Sequence, residues 1–100
     1  MILYNVTVNV DADIEEEWLD WITSRHIPDI LATGCFKEGK IFRVLSPESE
    51  EGVTYSLQYS TDNLEDFEKY QIEHAAIIQS EHKDRFDGRF TAYRTVLEEI

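Results

Sequence analysis

The chain holds one cysteine in 100 residues. Cys35 therefore has no partner for an internal disulfide, and the sequence fits a reducing compartment. Basic residues are scarce: nine Lys and Arg stand against 21 Asp and Glu, a net charge of -12. This count argues against nucleic acid and anionic membrane as partners, because phosphate surfaces are held by basic patches. No apolar run is long enough to span a bilayer. The opening MILYNVTVNV has no basic leader and alternates like a strand. The expectation is a cytoplasmic chain without a signal peptide. There is no internal repeat, no Gly-rich phosphate loop and no Ser-His-Asp spacing. Lys37 alone beside Cys35 does not make a nucleophile. His74 and His82 are eight apart, not the four that helical metal pairs favour, so no metal is expected.

What remains is a single domain with 42 % hydrophobic residues. A chain this short buries roughly 60–70 % of its unfolded surface, which makes association a natural source of extra stability. Residues 2–10 alternate, with Ile2, Tyr4, Val6, Val8 and Val10 on one side. Asp11 and Asp13 are candidate caps for a following helix, and Asp13 with Glu16 has capping-box spacing. Ile14, Trp18, Trp21, Ile22 and Arg25 form the stripe of that helix. Pro28 is expected to end it and to open a short second helix closed by Gly34. Residues 35–46 read as a strand with a bulge at Gly39, residues 46–52 as a hairpin loop, and residues 53–60 as the partner strand. Asp62 with Glu65 starts a long helix to about Phe86, its stripe Phe67, Tyr70, His74, Ile77 and Ile78. Asp87-Gly88 turns the chain into a last strand over residues 89–98. The order is βαββαβ, so the expected fold is α+β and ferredoxin-like, an antiparallel four-stranded sheet with helices on one face.

The other face of that sheet presents Asn5, Thr7, Asn9, Thr54, Ser56 and Gln58, none charged in a chain that is 30 % charged. A freely solvated face normally carries Lys, Glu and Arg. This face is read as the lining of a polar cavity covered by a second copy, with these six residues as the candidate ligand-binding groups. The facing of Arg43, Tyr93 and Arg94 is open from sequence, and either arginine is a candidate charge at the cavity mouth. The two tryptophans read as core packing. His26 reads as a helix-end residue that meets the dipole. His74 reads as a core histidine with a ligand-facing alternative, and His82 as exposed.

The segments ILYNVTVNVD, EEEWLDWITSRHIPDILATG, GVTYSLQY, LEDFEKYQIEHA with EHKDRF, and RFTAYRT cover nearly the whole chain. With them the sequence resembles a family of short uncharacterised bacterial proteins known only as a domain of unknown function. The resemblance implies a ferredoxin-like, dimeric α+β barrel and brings no established activity. A looser similarity reaches the cofactor-independent and haem-degrading monooxygenases of the same barrel superfamily. It implies Asn5 and His74 as catalytic candidates, with haem as the alternative cofactor to none. The tryptophan those enzymes carry on the second long helix is replaced here by Phe67 and Tyr70.

Three functional expectations follow. The first is a homodimeric module that binds a small polar ligand or serves as an accessory domain, rather than an enzyme. The second is a barrel-type monooxygenase using His74 and Asn5. The third is a protein-interaction dimer whose acidic helix faces meet a basic partner.

Overall fold

The computed structural model describes residues 1–100. Strand β1 (Ile2–Val10) is followed by a 3-10 turn at Ala12–Ile14, helix α1 (Glu15–Trp21), a π-helical segment (Ile22–His26) and helix α2 (Ile27–Ala32). Strands β2 (Glu38–Arg43) and β3 (Val53–Thr61) form the hairpin. Helices α3 (Leu64–Glu73) and α4 (Ala75–Phe86) lead to β4 (Phe90–Glu98). The strand order is β2-β3-β1-β4, all neighbours antiparallel. This is the ferredoxin-like split βαβ arrangement expected from the element order.

Period-two patterning sets the layers. Along β1 every even residue is buried and every odd one is half-buried. Register places Tyr4 opposite Tyr59 and Val96, and Val6 opposite Leu57 and Arg94. The even side of β1 faces the helices, and Trp18, Ile22, Ile30, Phe67, Tyr70 and Ile78 pack on it. Tyr4, Phe36, Tyr59, Phe67 and Tyr70 form an aromatic cluster with ring centroids 5.1 to 6.1 Å apart. Such stacked, tilted and edge-on pairs add to the stabilisation from the area their rings bury.

Several local details depart from the sequence reading. Asp11 and Asp13 do not cap α1, whose N-cap is Ile14 without a side-chain bond. They hold Arg89 instead, at 2.8 and 2.5 Å, tying the end of β1 to the start of β4. Asp62 does not cap α3 either. It pairs with Lys37 at 3.1 Å, and Asn63 caps by accepting from the Asp66 amide. Pro28 does not separate two helices. The chain widens into the π segment, with the Ile27 amide donating to the Ile22 carbonyl, so that Pro28 enters at the first turn of α2, where its missing N–H costs nothing. Gly39 makes no bulge. It pairs in regular register with Tyr59, and an added Cβ would stand 3.1 Å from the Tyr59 ring and the Ile27 side chain. Its role is close approach of α2 to the sheet. The expected strand over residues 35–46 shortens to β2, since Cys35 and Phe36 turn into the core.

The long second helix is broken at His74, which leaves helical geometry at φ -128°. The apolar stripe is re-phased there. Ala75, Ile78, His82 and Phe86 are buried, while Ile77 is 67 % exposed. His74 itself is half-buried beside the Tyr70 ring.

Candidate functional site

Two polar sites lie on opposite sides of the sheet. The first is on its open face. Odd positions of β1 and even positions of β3 bring Asn5, Thr7 and Asn9 beside Thr54, Ser56 and Gln58. All six of these expected residues line one cavity of about 710 Å³. They are already organised. Gln58 donates to Ser56, Ser56 donates to Asn5, and Asn5 donates to Thr7 at 3.0 Å. Asn9 holds the rim by donating to the Glu51 carbonyl at 2.9 Å and to Thr54. Its side chain thereby pins the β2–β3 loop over the cavity. Gly52 takes φ 68° in that loop, where a Cβ would meet the Val10 carbonyl oxygen at 2.6 Å.

The lining includes Glu48 and Glu51 from the loop and no Lys, Arg or His. Arg43 and Arg94 do not supply charge at the mouth. Register puts Arg43 opposite Tyr55 and Arg94 opposite Val6, both on the helix side. Arg43 donates to the Tyr55 hydroxyl, which also bonds the Glu15 carboxylate. Tyr93 does face the cavity, opposite Thr7. The outer strands add large apolar side chains to the same face: Phe42 from β2 and Tyr93 and Leu97 from β4, 47 %, 58 % and 46 % exposed. A polar centre is thus flanked by two apolar margins.

His74 does not reach this cavity. It sits on the helix layer, on the far side of the sheet from Asn5. The structure places the two catalytic candidates on opposite sides of the sheet. The groups His, Cys, Asp and Glu form no cluster of three able to hold a metal ion.

The second site is on the helix side and was not anticipated. His26 and His82 are both buried, their ring centroids 5.2 Å apart. Trp18 donates its indole N–H to His82 Nε2 at 2.9 Å. Trp21 packs on both imidazoles, and Phe90 stacks flat on His82 at 3.9 Å. Burial pushes the His26 pKa down to about 4, with Arg94 helping and Asp29 opposing. Burial, then His26 and Arg94, push His82 down to about 3. Both rings are neutral at pH 7. They line a small crevice with Tyr4, Tyr70, Gln79 and Arg94. A signal for His82 was present: it follows Ile78 by four and precedes Phe86 by four, on the same stripe. His26 offered no such periodicity, because the π segment shifts its phase.

No helix is long and apolar enough to cross a membrane. No curated protein matches the chain. Solved structures match its fold. A dimeric ferredoxin-like protein from an uncultured marine organism has a TM-score of 0.70 at 15 % identity, over 100 % of this chain and 95 % of that one. An Arabidopsis thaliana protein has a TM-score of 0.75 at 11 % identity, covering 100 % and 96 %. A hydroxynitrile lyase from Passiflora edulis has a TM-score of 0.59 at 16 % identity, covering 99 % and 95 %. These likenesses concern the fold. Over residues 1–100 the chain matches one family, and it belongs to that family, Domain of unknown function (DUF4286).

Proposed function

We propose that this chain is a homodimeric ligand-binding module, with two open sheet faces packed against each other around a small, uncharged or positively charged polar ligand. The observation that carries this reading is the layout of the open face. Its centre is a hydrogen-bonded row of Asn, Thr, Ser and Gln side chains, and its margins are Phe42, Tyr93 and Leu97. A second copy would bury the apolar margins and close the polar centre from bulk water. The solved dimeric ferredoxin-like protein of the same fold supports the assembly. The lining carries carboxylates and no cation, which disfavours an anionic ligand. The row offers hydroxyl and amide groups, so the ligand it suits has several hydrogen-bonding groups and little apolar surface.

The reading is tested by denaturing the purified protein and analysing the small molecules released. Neutral or cationic polar compounds are expected from the wild type and are expected to be absent from Asn5→Leu, which blocks the row without touching the core. Release of nothing, or of the same compounds from both proteins, would overturn it.

A further inference from the structure

The helix-side crevice lies on the other side of the sheet from the proposed dimer cavity and does not depend on it. Its inner volume is about 10 Å³, room for about one water-sized atom. Polar groups converge there from five elements, with the Tyr70 hydroxyl of α3 among them. Tyr4 comes from β1, His26 from the π segment, Gln79 and His82 from α4, and Arg94 from β4.

The protonation of His82 follows from its partner. Trp18 is a donor only, so Nε2 must accept, and the proton of the neutral ring sits on Nδ1. No hydrogen bond within the chain holds that Nδ1–H or either ring nitrogen of His26, and none of the three is enclosed without a partner, so they stay within reach of solvent from the crevice. Arg94 forms no salt bridge, although the chain carries 21 acidic residues. It stands beside the Tyr4 hydroxyl, where its charge and that of no carboxylate bears on the phenol. Gln79 stands on the same hydroxyl. The crevice therefore offers an N–H, an O–H, an amide and a guanidinium, and no acidic side chain lines it.

We propose that this crevice is a second binding site, for the carboxylate end of a small organic acid. Arg94, on the exposed edge strand, receives the carboxylate at the mouth. The inner volume admits one oxygen, which accepts from His82 Nδ1–H and the Tyr4 hydroxyl. The remainder of the ligand stays outside, because the crevice is walled by Val6, Ile30 and Ile78 and has no further depth. Charge-assisted contacts of this kind are roughly twice as strong as neutral ones. Two tryptophans spent on positioning one histidine pair are then explained as the frame of the site.

The test is a titration of the full chain at pH 7 with sodium acetate, read by the ring 15N–1H correlation of His82. Sodium chloride at matched ionic strength is the control. A saturable shift of His82 Nδ1–H with acetate is expected. The affinity should fall about tenfold in Arg94→Gln, the loss of one charge-assisted contact. It should fall less in Arg94→Lys, which keeps the charge and loses the fork, and stay unchanged in Lys69→Gln on the far surface of α3. Absence of a saturable shift, the same shift with chloride, or equal affinity in Arg94→Gln would overturn the proposal.

Discussion

Trp18 and His82 are 64 residues apart and share one buried hydrogen bond of 2.9 Å. The bond joins α1 to α4, the first and last helices of the layer, and fixes the tautomer of a histidine held beside a second one. Around it Trp21, His26, Phe86 and Phe90 complete an enclosure that disfavours charge on either imidazole.

That enclosure makes stability depend on pH. In the unfolded chain both histidines titrate near 6.5, and in the folded chain at about 4 and about 3. Above pH 6.5 neither state binds these protons and stability is flat on their account. As pH falls from 6.5 toward 4 the unfolded state takes them up first, so stability is lost across that window. The loss from His26 alone is on the order of 3 kcal/mol. In His82→Gln, whose amide oxygen can still accept from Trp18, urea unfolding at pH 7 and pH 4 should show a smaller drop than in the wild type. An equal drop would show that the pair is not the source.

The Tyr59 hydroxyl is buried and has no partner. Burial drives its pKa well above the ordinary value, with Tyr70 and Tyr4 adding to the shift. An unpaired buried hydroxyl costs free energy that a phenyl ring does not. Tyr59→Phe is expected to raise the urea midpoint, by about 1 kcal/mol of stability. A fall of similar size would mean that the hydroxyl is satisfied in solution.

Gly52 and Gly88 both take positive φ, 68° and 76°, yet their surroundings differ. Alanine at Gly88 meets open space and should cost about 1 kcal/mol, the price of the left-handed conformation. Alanine at Gly52 also meets the Val10 carbonyl oxygen and the Asn9 side chain. It should cost clearly more and loosen the loop over the cavity. Thermal unfolding of the two variants compares them directly, and equal losses would count against the tight loop seat.

The sheet was legible in the sequence because alternation has period two and tolerates no slip. Asn5, Thr7, Asn9, Thr54, Ser56 and Gln58 were found on that basis and do line one cavity. The helix layer was less legible. A single non-helical residue at His74 exchanges Ile77 for Ile78 as the buried position, and a π segment does the same around His26. Neither event leaves a glycine or proline at its centre. The acids that carry capping spacing, Asp13 and Asp62, are claimed by Arg89 and Lys37 from distant parts of the chain. Local rules cannot anticipate a partner 25 or 76 residues away. The facing of Arg43, Tyr93 and Arg94 required the register, which pairing alone supplies.

The central claim is that a second copy covers the open sheet face, and sedimentation equilibrium of wild type and Tyr93→Glu tests it most directly. Tyr93 is on that face, is 58 % exposed and makes no core contact. The account predicts a wild-type mass of twice the 11.7 kDa chain, and a folded monomer for Tyr93→Glu, because facing copies would bury a charge without a partner. A wild-type monomer at all concentrations, or a dimer unaffected by Tyr93→Glu, would contradict it.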